Sequence, residues 1–264
     1  MEKIILVTGS TDGVGKLTAA KLAGNGHAVY LHGRSPEKLD ATISEIRTMT
    51  KNEKVDGFVA DFSDPDGVRQ MVDQVNRDLS KMDILINNAG VFKSPEEYNK
   101  NGLDMRFAVN YFAPYLLTQG LISLLNKGSD PRVINLSSAA QSPVSLNALS
   151  GQESVSDWES YAQSKLALTM WSFHLAQACP EIAVIAVNPG SLLNTRMVAE
   201  AFGHHRSSAD KGADILYDLA VSDKYKGITG KYFDNDQGCF AQAHPEAYRK
   251  TEVDRLIHAT GNLI

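Results

Sequence analysis

Six short apolar runs rich in valine and isoleucine, at residues 4–7, 28–31, 55–59, 84–86, 133–136 and 183–187, are separated by segments whose apolar residues recur with helical spacing. Runs this short that do not alternate apolar with polar residues fit strands covered on both faces, as in a parallel sheet. The segments at 17–22, 36–49, 65–79, 103–125 and 158–178 predict the covering helices. Strand followed by helix, repeated about six times, calls for an α/β fold with a doubly wound parallel sheet and helices on both faces. A last strand near 230–233 brings the expected sheet to about seven strands. The 264 residues are 43% apolar and carry no internal repeat, low-complexity tract or long Pro/Gly/Ser linker, so residues 1–264 are read as one domain.

Two stretches break the rhythm, at 139–157 and 191–209, and both would lie beyond the carboxyl ends of strands, where open α/β sheets bind ligands. Other partners are disfavoured. The net charge of -5, with no basic run, speaks against a nucleic-acid or anionic-membrane surface. Cys179 and Cys239 stand far apart without a second pair, which suggests reduced thiols rather than a disulfide framework or zinc site. No histidine cluster has metal-ligand spacing, and His204-His205 reads as exposed loop. The first apolar run is too short for a signal peptide and no stretch is long enough to span a membrane; the expectation is a soluble, cytoplasmic protein.

The first strand runs directly into Thr8-Gly9-Ser10-Thr11-Asp12-Gly13-Val14-Gly15, and a helix pattern follows. Glycines there allow a tight turn and close approach of the backbone to a pyrophosphate, while the helix start offers unpaired N–H groups and a positive dipole. The spacing Gly-x3-Gly-x-Gly alone is also compatible with an ordinary strand-to-helix turn. At the end of the second strand, where an acidic residue would bind the ribose 2'-OH of NAD, the chain has Arg34 and Ser35. A guanidinium and a hydroxyl favour NADP(H) over NAD(H); the alternative is a solvated arginine at a helix start. Asp61, followed by Phe62, closes the third strand where it could accept a bond from an adenine amino group, with Asp64 better suited to cap the next helix.

Tyr161 and Lys165 lie one helical turn apart. An ammonium beside a phenol stabilises phenolate and lowers its pKa towards neutrality, as general acid/base chemistry on an alcohol requires. The ordered set Thr8-Gly-x3-Gly-x-Gly15, Asn87-Asn88-Ala89-Gly90, Ser138, Tyr161-x3-Lys165 and Pro189-Gly190 resembles the successive motifs of the short-chain dehydrogenase/reductase family, from Lys3 to about Phe233. The resemblance implies a Rossmann fold and hydride transfer between NADP(H) and a small carbonyl or alcohol substrate, without a metal. By resemblance, Ser138 binds the substrate oxygen, with Ser137 as competitor. Tyr161 transfers the proton, Lys165 holds the nicotinamide ribose and depresses the Tyr161 pKa, and Asn110 supports a water leading to Lys165. Asn88, Ala89 and Gly90 would line the cofactor cleft, Asn87 also bracing the sheet, while Pro189, Gly190, Leu192 and Thr195 would meet the nicotinamide end.

The long interval between Ser138 and Tyr161 resembles that of the retinol dehydrogenase and protochlorophyllide reductase relatives, which are NADP(H) enzymes of hydrophobic substrates. Thr195 falls one position later than the family pattern. The tail after 234, with Phe240, His244 and Tyr248, would cover the substrate mouth, serve a subunit contact or form a surface helix; family relatives form homodimers or homotetramers. Two rival functions remain at this level, a non-catalytic NAD(P)-sensing regulator on the same fold and a methyltransferase using the glycine turn. Neither has use for the tyrosine–lysine pair.

Overall fold

The computed structural model describes residues 1–264, apart from the side chain of Phe202. The strands are β1 (Ile4–Val7), β2 (Ala28–Gly33), β3 (Val55–Val59), β4 (Ile84–Asn87), β5 (Arg132–Leu136), β6 (Ala183–Asn188), β7 (Lys231–Asp234) and β8 (Cys239–Ala241). They form one sheet in the order β3-β2-β1-β4-β5-β6-β7-β8, parallel through β7, with β8 added antiparallel. The eighth strand, one more than the spacing of apolar runs suggested, arises where the chain turns back after Asp234 and pairs Phe240 with Phe233. Both neighbours of β1 run parallel to it, β2 on one side and β4 on the other, so successive crossovers diverge there and leave a cleft at the carboxyl ends of β1 and β4.

Alternate residues of each strand feed two separate cores. Leu6, Leu85, Val133 and Val184 point to one face; Ile5, Val7, Ile84, Ile86, Ile134 and Ile185 point to the other. Both sets are apolar because both faces are covered. The second face is packed by α1 (Gly13–Gly24), α2 (Pro36–Thr50) and a helix not foreseen from periodicity, α9 (Ala209–Val221). The first carries α3 (Pro65–Asp78), α5 (Ala113–Leu125) and α7 (Asp157–Ala178).

Local chemistry starts these helices where they start. Asp12, Ser35, Asp64 and Ser156 each accept a bond from a backbone N–H in the first turn of α1, α2, α3 and α7, and Pro36 and Pro65 stand just inside theirs. The segment 103–125 is not one helix: α4 (Met105–Phe107) passes through a π turn at Ala108–Phe112 before α5 begins. The stretches that broke the sequence rhythm hold short helices, α6 (Leu146–Leu149) and α8 (Arg196–Phe202). The tail folds back as a 3-10 turn (Pro245–Tyr248) and α10 (Lys250–Leu263), with the Tyr248 ring 5.2 Å from that of Phe173 on α7. Among the described residues no helix is long and apolar enough to cross a membrane.

Candidate active site

The turn between β1 and α1 is shaped by absent side chains. Gly9 has φ +61°, and a Cβ there would come within 2.7 Å of the Ala89 Cα. At Gly15 a Cβ would lie 2.3 Å from the Asn88 amide nitrogen and 2.5 Å from the Gly9 carbonyl. Asn88 donates to the carbonyls of Thr8 and Gly9 at 2.8 and 2.9 Å, and the Thr8 hydroxyl accepts from the amides of Asn88 and Ala89. The start of α1 is thereby held open to a ligand at the end of the sheet, as an anion site requires.

Three side chains of this turn point inward. Thr8 and Ser10 are buried; the Ser10 hydroxyl donates to the Val7 carbonyl and accepts from His32 N, and its own N–H goes to the His32 carbonyl. Val14 joins the core against α9. These three brace the turn from within. The Asp12 carboxylate, at the surface, takes the Gly13 N–H at 2.7 Å as the cap of α1. Thr11 lies against Gly33, where a Cβ would stand 2.5 Å from its methyl group.

At the end of β2, Arg34 is exposed, and its guanidinium makes no ion pair or hydrogen bond among the described residues. Ser35 is committed instead to α2, accepting from Lys38 N and donating to Glu37. Asp61 accepts from the amide and hydroxyl of Ser63, while Asp64 caps α3. The Phe62 ring is buried rather than facing the cleft, stacked 3.9 Å from the imidazole of His32.

Sequence reasoning passed over His32. Its Nδ1 accepts the Gly9 N–H at 3.0 Å and its Nε2 bonds the Ala60 carbonyl at 3.1 Å, so the ring is neutral and ties the glycine turn to the end of β3. Burial holds its pKa down at about 4. The one signal was a polar residue inside an otherwise apolar strand.

Tyr161 and Lys165 project from α7 as spacing required, with the Lys165 Nζ 5.6 Å from the phenol ring centre. Lys165 is 4% exposed and donates to the Leu136 carbonyl at the end of β5 at 2.8 Å. Burial lowers its pKa to about 8. The expected depression of Tyr161 does not appear: burial pushes this phenol above its ordinary value, and the hydrogen bond with Ser138 pulls the other way. The reason is geometric, since Phe92 packs 5.0 Å from the Tyr161 ring and the ammonium is directed at a carbonyl.

Of the two serines after β5, Ser138 meets Tyr161. Ser137 is buried and spends its hydroxyl on the Lys165 carbonyl and Thr169. Asn110 sits in the π turn, an irregularity common at functional sites, with its amide bonded to both backbone groups of Val91 and to Ser164. Gly90 joins it to the site: a Cβ there would be 3.3 Å from the Asn110 Oδ1 and 3.4 Å from the Lys165 Nζ. Asn87 braces the sheet through Thr118 and Asn135.

The loop after β6 closes from the other side. Pro189 and Asn188 are tied to the turn after β7 by Asn235 and by Asp234 and Asp236. Gly190 (φ +123°) and Leu192 (φ +51°) redirect the chain over the glycine turn. Thr195 spends its hydroxyl capping α8, accepting from Val198 N, and its methyl group lies against Gly13. Among the described residues no group of three or more His, Cys, Asp or Glu is placed to hold a metal.

A family model described as short chain dehydrogenase matches residues 3–205. Retinol dehydrogenase 12 of Mus musculus is 31% identical over 274 residues, covering 99% of this chain and 86% of its own length. Polyprenol dehydrogenase of Homo sapiens is 31% identical over 257 residues, 89% of this chain and 78% of the relative. A short chain dehydrogenase from Shigella flexneri, crystallised in complex with NADP, superposes with a TM-score of 0.72 at 29% identity, covering 89% of this chain and 97% of that one.

Proposed function

The chain belongs to the short-chain dehydrogenase/reductase family, and from that premise we propose an NADP(H)-preferring oxidoreductase that interconverts a carbonyl and an alcohol. The observation that carries this reading is the meeting of Ser138, Tyr161 and Lys165 beside Gly90 at the carboxyl ends of β4 and β5. A nicotinamide cofactor supplies or removes hydride in such chemistry. The glycine turn fits its pyrophosphate, because the spaces at Gly9 and Gly15 admit no Cβ and the start of α1 faces the cleft. Arg34 fits a 2'-phosphate by charge and exposure.

Tyr161 then donates its proton to a carbonyl oxygen during reduction, or accepts it from an alcohol during oxidation. The Ser138 hydroxyl holds that oxygen. Lys165, its pKa brought down to about 8 by burial, offers an ammonium close to the phenol for the phenolate left behind. Similarity to dehydrogenases named for retinol and polyprenol favours an apolar substrate. Assembly as a homodimer or homotetramer and a cytoplasmic location belong to the same reading; equilibrium sedimentation and fractionation test them.

The deciding measurement is titration with NADPH and NADH, for the wild type and for Arg34→Asp. NADPH preference that falls by roughly 10- to 100-fold in the variant is expected, as for loss of a charge-assisted bond. In a carbonyl screen with NADPH, Tyr161→Phe should lose roughly 10²- to 10⁴-fold in kcat while still binding nucleotide. Absence of binding by either nucleotide would overturn the proposal.

A further inference from the structure

Of the catalytic set, Ser138 alone follows directly on a strand, two positions beyond β5, and the peptides leading to it are pinned one after another. The Leu136 carbonyl accepts from Lys165, and Ser137 is bonded to Lys165 and Thr169. Both ties come from α7, the helix that also carries Tyr161. Ser138 has a different attachment. Its carbonyl accepts from the Tyr232 hydroxyl on β7 at 3.0 Å and from the Gln141 side-chain amide at 2.8 Å. The other end of that amide, Oε1, accepts the backbone N–H of His244 at 3.1 Å.

His244 opens the C-terminal segment, which is anchored independently. Ala243 N donates to the Tyr248 hydroxyl at 2.9 Å, and the Tyr248 ring packs on Phe173 of α7. Tyr232 is 4% exposed. Two neutral donors therefore fix the peptide of one catalytic residue, one from β7, two strands along the sheet from β5, and one tethered to a tail over a hundred residues away in sequence.

Resting on the oxidoreductase reading above, we infer that Gln141 and Tyr232 are positioning residues that hold the Ser138 hydroxyl at Tyr161, and that the segment from Ala243 to Tyr248 acts on the active site through Gln141. A carbonyl bonded from two directions cannot rotate without losing one partner, so the backbone from which the hydroxyl projects stays in place, and the Ala140 N–H, donating to that hydroxyl at 3.1 Å, aims it. With either donor removed, the peptide is held from one direction only, and Ser138 then holds neither the substrate oxygen nor the phenol as well.

The test uses the full chain with Tyr232→Phe, which removes one oxygen and retains the ring, and with Gln141→Leu. Steady-state kinetics with NADPH and a carbonyl turned over by the wild type, NADPH affinity and thermal unfolding are measured together. We expect kcat to fall roughly ten- to hundred-fold in each variant, as for a reacting group displaced by about an ångström. NADPH affinity stays within about two-fold, because neither residue lies in the nucleotide cleft. The pH limb belonging to Tyr161 moves upward, because the Ser138 bond that lowers its pKa is weakened. Unchanged kcat and pH profile, with or without a fall in melting temperature, would make the network scaffolding only. Parallel loss of NADPH affinity and kcat would relocate the effect to the cofactor site and overturn the inference. A wild type that binds NADPH and turns over no carbonyl would instead sink the oxidoreductase reading, and the inference with it.

Discussion

His32 shows how one residue can serve two loops at once. With one ring nitrogen accepting from Gly9 and the other bonding Ala60, it can take a further proton only by breaking the first bond inside a buried site. Its pKa of about 4 stands below the ordinary 6.5, so the unfolded chain takes up a proton over a pH range in which the folded chain refuses it. The sign follows: stability is fully present above pH 6.5 and declines as pH falls from 6.5 to about 4. The contribution of this residue is about 3 kcal/mol by linkage. Urea unfolding at pH 7 and 4.5 should show that decline in the wild type and a much flatter one in His32→Gln; an equal decline in the variant would assign the protons elsewhere.

Among elements, the decisive contact is between the short α4 and the catalytic helix α7. Arg106, 1% exposed, pairs at 2.9 Å with Asp104, the cap of α4, and at 2.9 Å with Asp157, the first residue of α7. This ties the start of the π-turn segment carrying Asn110 to the helix carrying Tyr161 and Lys165. The half-exposed Asp157 adds little, whereas Asp104 is buried. Replacing Arg106 by Met would keep most of the volume and leave the Asp104 charge alone in the interior, at a cost of roughly 3–5 kcal/mol in urea unfolding. Adding Asp104→Asn should recover part of that cost. A loss under about 1 kcal/mol in the single variant would show that water already reaches the pair.

For the whole molecule, the tail is part of the packed structure. The Tyr111 hydroxyl, in the π turn, and the Thr260 hydroxyl, in α10, are 149 residues apart, fully buried and 2.7 Å from each other. Thr260→Val preserves shape and strands the Tyr111 oxygen, so a loss of about 1–3 kcal/mol is expected, with faster amide exchange in α10. Unaltered exchange would mean that apolar contacts alone, those of Val253, Leu256 and Ile257 among them, hold the helix.

The order of strands and helices, the bounds of β1 and β3, the glycine turn and the pairing of Tyr161 with Lys165 were legible in the chain because each depends on spacing within one element. Helix α9 was missed although its apolar face is complete, β8 was hidden in a polar stretch whose apolar residues are sparse, and a helix in the tail stood only as one of three alternatives. What periodicity could not reach was every feature made by residues distant in sequence. The choice of Ser138 over Ser137 rested on which hydroxyl α7 consumes, and the inward turn of Ser10 on the arrival of His32. The raised Tyr161 pKa came from burial under Phe92. The sequence by itself determined which chemical groups exist and how they repeat along each element. The tertiary structure alone decided which of them meet, and how dry the place of meeting is, since both depend on contacts that local spacing does not encode.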